Sequence, residues 1–243
     1  MSTPEHLSYE QAIVLASGSP RRRELLARLV PSFEVLSSAA EEEGHERVPD
    51  WSLEPPDLPE PFVVTPESEP RLWAWRKAVD VVHQHVDRLA AGALILGADT
   101  IVVAPGRILG KPATVEDARD MLYLLRGREH YVVTGFVLLR VEQGGATTVH
   151  QEAVSAQVVM RAFGGREVEN YLATGESMDK AGAYALQGLG GRLVERVEGC
   201  RTTVIGLPLC RVRAALASAG ATLLPHPEEG YCAFCPSGAY TAK

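Results

Sequence analysis

The sequence predicts an α/β domain, a mixed sheet with flanking helices. Three observations point there. Apolar runs and amphipathic segments interleave along the chain. The run from Leu94 to Val103 is too continuously apolar to be an edge strand, so it should lie inside a sheet. Two further β-type runs flank Gly144-Gly145, which makes at least one pair an antiparallel hairpin. With 243 residues, 46% of them apolar, the chain can bury one large core or two small ones.

In order, the short apolar run Ile13 to Ala16 reads as a buried strand. It stops at Ser17-Gly18-Ser19, and a helix should start there, with Ser19 as N-cap and Pro20 in the first helical position. From Gly44 to Pro70 there are seven prolines, many acids and no helical period, which predicts an irregular insertion at the surface. Arg71 to Ala91 reads as a helix, with Trp75, Ala78, Val79, Val82 and Val86 on its apolar face. After the strand Leu94 to Val103, Pro105-Gly106 turns the chain into Ile108-Leu109. Thr114 with Asp117 opens the next helix as a capping box, Ala118, Met121, Leu122 and Leu125 supply its apolar stripe, and Gly127 ends it. The hairpin strands are Tyr131 to Val141 and Thr147 to Met160. A short helix over 167–173 closes at Gly175, a short strand follows at Leu193 to Val197, and the last helix spans Leu207 to Ala219 with Pro208 near its start. Residues 1–225 therefore read as one domain, and 226–243 as a C-terminal extension.

Composition narrows the function. Net charge is −7 and the pI about 5.6, so a broad basic face for nucleic acid is not expected. No apolar run reaches the length of about 18 residues that a membrane span needs. The segment MSTPEHLSYEQ has neither the basic nor the apolar part of a signal peptide, so the expected location is the cytoplasm. Of the four cysteines, Cys232 and Cys235 form a lone C-x-x-C with His226 upstream. One such pair does not complete a zinc site, and Cys200 and Cys210 read as core or near-core residues.

Three segments carry chemistry. Arg21, Arg22 and Arg23 fall in the first helical turn, where the positive end of the helix dipole disfavours cations. Free N–H groups and arginine forks together suit a phosphate chain. Asp99 sits among apolar strand residues, an expensive place for a carboxylate that lacks a partner. Gly97 beside it should let a ligand approach. Lys111, in Leu109-Gly110-Lys111-Pro112, is not part of a Walker A loop: Gly106 and Gly110 are one residue too close, and Pro112 stands where Ser or Thr is required.

IVLASGSPRRRE (13–24), GADTIVV with ILGKP, TGESMDKAGAYALQGLGG and VIGLPL occur in this order, and together they resemble the Maf family of nucleoside triphosphate pyrophosphatases. The likeness runs from about Ile13 to about Leu216. It implies a two-lobed fold with a central cleft, akin to inosine triphosphate pyrophosphatases, and cleavage between the α- and β-phosphates. It also implies Asp99 as the proton acceptor or metal-associated acid of the catalytic centre, with Ser17, Arg21, Arg22, Lys77 and Lys111 on the triphosphate. The metal, Mg²⁺ or Mn²⁺, would be held by Asp99 and Glu42, with Glu41 and Glu43 near enough to substitute for Glu42. Arg21, Thr100 and Gln187 match the positions that separate subfamilies, and here they look like the dTTP/UTP group. Gln187 offers the donor and acceptor that a uracil or thymine edge asks for. The alternatives are a purine-selective enzyme, such as one acting on 7-methyl-GTP, and a non-catalytic regulator of septation. The insertion is read first as a plain surface loop, with a lid or part of a homodimer contact as the alternatives.

Overall fold

The computed structural model describes residues 12–38 and 68–227. Glu41, Glu42 and Glu43, nearly all of the proline-rich insertion and the Cys232/Cys235 tail lie outside the described residues. The seven strands are β1 (Ile13–Ala16), β2 (Glu34–Val35), β3 (Leu94–Ala104), β4 (Arg107–Leu109), β5 (Glu129–Glu142), β6 (Gly145–Met160) and β7 (Val194–Gly199). They form one mixed sheet in the order β2-β1-β3-β5-β6-β7, with β4 paired to β3. β1 runs parallel to both β2 and β3, and the remaining pairs are antiparallel. This is the predicted α/β class. The helices are α1 (Pro20–Leu26), α2 (Ser68–Gln84), α3 (Val115–Leu125), α4 (Gly165–Leu172), α5 (Arg201–Ile205) and α6 (Leu209–Ser218). The short α5 has no forecast in the sequence. The β5–β6 turn is Gln143-Gly144, and Gly145 already belongs to β6.

Side-chain alternation along β3 sorts the core. Leu94, Leu96 and Ala98 face a cluster built with Leu15, Leu26, Phe136 and Leu216. Val102 and Ala104, on the same face farther along, join Leu122, Leu125, Val132, Phe163 and Tyr184 in a second cluster beneath α3 and α4. Two apolar lobes thus share one sheet face, and the polar Thr100 and Thr134 lie at the seam between them. The opposite face carries Ile95, Val137 and Leu139 under α2.

Helix α2 departs from the sequence reading. It starts at Ser68, so Pro70 lies in its first turn, where a missing N–H costs nothing. Its buried face is Leu72, Trp73, Ala74, Lys77, Ala78, Val81 and Val82. Trp75 and Val79 are only partly buried, and Val86, beyond the helix end, is 53% exposed. Two glycines set this rotation. A Cβ on Gly97 would lie 2.1 Å from the Ala74 carbonyl oxygen, and one on Gly135 would lie 2.4 Å from the Arg71 nitrogen. The helix backbone rests directly on the sheet at these positions. The space that Gly97 leaves, which the sequence assigns to a ligand, is filled by α2.

At the C-terminal end, Leu224 N–H donates to the Leu29 carbonyl at 2.8 Å, and Arg213 donates to the Leu224 carbonyl at 2.7 Å. Leu223 packs on the first cluster. The domain therefore continues past Gly220 to Leu224.

Candidate active site

The sheet leaves a gap at one edge of β3. β1 pairs with Leu94 to Gly97 and β4 pairs with Val102 to Ala104, so, among the described residues, 98–101 have no neighbouring strand on that side. Asp99 and Thr100 sit in this gap. Successive strand residues point to opposite faces, so Asp99 turns toward α2 and Thr100 toward α1 and α5. Both border the same cleft, about 1460 Å³ in volume. Its walls come from the β1–α1 turn, the β4–α3 loop, the 179–186 segment and the α5–α6 turn. The cleft opens at the seam between the two lobes: Val204 packs on one and Ile205 on the other.

Asp99 is buried, and its Oδ1 accepts from the Lys77 ammonium at 2.7 Å. Lys77 is itself buried on the apolar stripe of α2, so it is no solvated helix lysine. The close seating of α2 on Gly97 and Gly135 brings this cation to the carboxylate, and Gly135 is the β5 partner directly opposite Asp99. A buried ion pair is a weak source of stability, because desolvation offsets the attraction. Its worth lies in keeping a carboxylate charged and aimed at a fixed point.

On the other face, Arg22 acts as a strut. Its Nη1 donates to Ser17 Oγ at 3.1 Å, its Nη2 to Thr100 Oγ1 at 3.1 Å and its Nε to the Gly206 carbonyl at 3.0 Å. Thr100 and Thr134 share a hydroxyl contact at 2.9 Å, and Thr134 Oγ1 donates to the Thr203 carbonyl at 2.8 Å. This network ties β1, β3, β5 and α5 together across the seam. Ser19 caps α1 in position only, with no side-chain hydrogen bond. Ser17 orders that turn instead, its Oγ accepting from Ser19 N–H at 3.3 Å.

Of the residues singled out in the sequence, Arg21, Arg22, Lys77, Asp99, Thr100 and Lys111 all border the cleft. Ser17 is fully buried behind it. Gln187 is exposed just beyond the wall, outside the residues that line the cleft, whereas Tyr184, Ala185 and Leu186 line it. Glu42 lies outside the described residues. Sequence reasoning missed Lys180, a further cation in the cleft paired with Asp179. The pair stands within TGESMDKAGAYALQGLGG, where nothing in the residues marks a lysine beside an aspartate as a phosphate ligand. The cleft thus gathers Arg21, Arg22, Lys77, Lys111 and Lys180 against Asp99, Asp117, Glu69 and Asp179. Arginine forks and lysines at this density suit a polyphosphate.

The family model described as Maf-like protein matches residues 12–219. The chain belongs to the Maf family. Among curated relatives, the dTTP/UTP pyrophosphatase of Dictyoglomus thermophilum is 38% identical over 215 residues, which cover 88% of this chain and 100% of that protein. The dTTP/UTP pyrophosphatase of Geotalea uraniireducens is 42% identical, with 86% of this chain and 95% of the relative covered. That of Syntrophotalea carbinolica is 37% identical, with 96% and 97% covered. A solved HAM1 protein from Coxiella burnetii overlaps 86% of this chain and 99% of its own at 16% identity, with a TM-score of 0.37. Maf membership thus rests on a match that spans β1 through α6 and every cleft wall named above.

Proposed function

We propose that this Maf-family protein is a nucleoside triphosphate pyrophosphatase acting on dTTP and UTP, releasing the nucleoside monophosphate and pyrophosphate. The observation that carries the reading is the buried Asp99–Lys77 pair at the floor of a cleft ringed by Arg21, Arg22, Lys111 and Lys180. The names of the relatives, all dTTP/UTP pyrophosphatases, support the substrate class.

The residues divide the work as follows. Arg21, Lys111 and Lys180 bind the β- and γ-phosphates and offset the charge that builds on departing pyrophosphate. Arg22 keeps Thr100 and the β1–α1 turn in place. Asp99 accepts a proton from water as the water oxygen bonds to the α-phosphorus and the bond to the bridging oxygen breaks. Lys77 holds Asp99 ionised and oriented for that transfer. Thr100, bordering the cleft, and Gln187, just beyond its wall, would read the base.

Among the described residues no three His, Cys, Asp or Glu side chains cluster to hold a metal ion. Two carboxylates, Asp99 and Glu42, would suit a cation that arrives with the triphosphate, since Mg²⁺ binds through one or two carboxylates plus substrate phosphates. Asp99 would hold it, with Glu42 as the second acid, and Mg²⁺ or Mn²⁺ would supply charge neutralisation at the α-phosphate. No described helix is long and apolar enough to cross a membrane. Action in the cytoplasm, as a homodimer, completes the proposal.

The test is release of pyrophosphate, read by a coupled phosphate assay, across a nucleotide panel with and without chelator. dTTP and UTP should be the best substrates, and chelation should abolish turnover. Equal or better turnover of 7-methyl-GTP would overturn the substrate class, and direct release of orthophosphate would overturn the reaction.

A further inference from the structure

One buried titratable group has no part in the chemistry above. His130, near the start of β5, is 1% exposed. Its Nε2 lies 2.7 Å from the Tyr184 hydroxyl, and the two rings meet edge to face with centroids 5.5 Å apart. Its Nδ1 is buried with no hydrogen-bond partner. Burial lowers its pKa to about 4, so the ring is neutral at ordinary pH. A bare lone pair is cheaper to bury than a bare N–H. That assigns the proton to Nε2, which donates to Tyr184, and leaves the phenol its own proton for a second bond.

Tyr184 stands in the wall of the cleft, beside Ala181, Ala185 and Leu186 and after Lys180. That wall is under strain: Ala183 has φ +60°, the one non-glycine residue with positive φ among the described residues. It is also tied to the opposite cation, since Gly182 N–H donates to the Gly110 carbonyl at 3.0 Å, next to Lys111. A strained segment keeps its shape only where its surroundings overdetermine it.

We propose that His130 is a positioning residue: through Tyr184 it pins the 180–186 wall, and with it the placement of Lys180 and Lys111 on the triphosphate. This rests on the pyrophosphatase reading for its kinetic consequence but not for its structural one. The test compares His130→Ala, His130→Gln and Tyr184→Phe, the last nearly isosteric and so the variant safest for folding. Exchange of the Gly182 amide hydrogen reads the wall directly and needs no substrate. It should quicken about tenfold in His130→Ala and Tyr184→Phe, the scale of one lost hydrogen bond, and recover in His130→Gln. With dTTP, kcat/KM should fall about tenfold in the same two variants, through kcat as well as KM because these lysines meet charge that grows in the transition state, and it should recover in His130→Gln. Combining the two should cost no more than either alone, because they cut one link. Unchanged Gly182 exchange in folded variants, or losses that add, would overturn the proposal. A wild-type protein that leaves dTTP intact would overturn the functional reading alone, and the exchange experiment would still decide this one.

Discussion

Replacing Gly97 by alanine tests the link between backbone packing and catalysis. The new Cβ would lie 2.1 Å from the Ala74 carbonyl oxygen and 3.0 Å from Ala78 Cβ. An ordinary contact needs about 3.5 Å, so α2 must lift by roughly 1 Å or more. Lys77 lies between these two alanines on the helix, and its Nζ reaches Asp99 at 2.7 Å. A lift of that size breaks the bond and leaves Asp99 with a displaced counter-charge. Overpacking of this kind costs about 1–3 kcal/mol of stability. A catalytic group misplaced by about 1 Å can lose ~10²-fold in rate. Urea denaturation should report the first effect and kcat for pyrophosphate release from dTTP the second. Gly145→Ala is the control, because a Cβ there meets nothing within 4 Å. It should shift stability by no more than about 0.5 kcal/mol. Native stability and near-normal kcat in Gly97→Ala would refute the claim that α2 must rest on bare backbone to place Lys77.

Three further outcomes are expected. Asp99→Asn should lose at least ~10²-fold in kcat while its circular dichroism stays native, and both it and Lys77→Met, each of which strands one buried charge of the pair, should cost about 3–5 kcal/mol in urea melts. Acid should weaken the fold through His130, whose pKa falls from 6.5 when unfolded to about 4 when folded. The unfolded chain then takes up the proton first as pH drops, so this stability is complete above about pH 6.5 and lost on the way to pH 4, about 3 kcal/mol in all. His130→Gln should lack that part of the slope, and parallel stability–pH curves for the two proteins would contradict it. Ending the chain after Gly220 should cost about 1–3 kcal/mol, because the Leu224 hydrogen bonds and Leu223 packing go, while ending it after Pro225 should leave the melting temperature unchanged.

Most of the framework could be read from local signals. The Thr114–Asp117 capping box forms as its spacing requires, with Thr114 Oγ1 accepting from Asp117 N–H at 3.1 Å. Arg21, Asp99 and Lys111 reached one cleft because each stood in a motif with its own local geometry. The rotation of α2 could not be read that way. Its segment, LWAWRKAVDVV, offers two apolar stripes of similar quality. The choice between them is made by Gly97 and Gly135, on strands far along the chain, which let the helix backbone sit down on one side. For the same reason the burial of Lys77 could not be read from its own segment. The fate of Gln187 was equally hidden, since a glycine-rich wall can turn its last polar residue either way.

The gap at the edge of β3 bears on solubility as well as on substrate. An unpaired strand edge invites strands from other chains, and proteins usually blunt such edges with charge or cover. Here, among the described residues, the open stretch is only 98–101, flanked by β1 on one side and β4 on the other. At about 3.3 Å per residue it spans roughly 13 Å, shorter than the five or six residues of an ordinary strand. A foreign strand would collide with β1 or β4 before it made a useful ladder, and it would meet the charges of Asp99 and Lys77 at the floor. A compact polyanion needs no ladder. The recess therefore sorts visitors by shape, shutting out aggregation partners while it stays open to a small charged molecule.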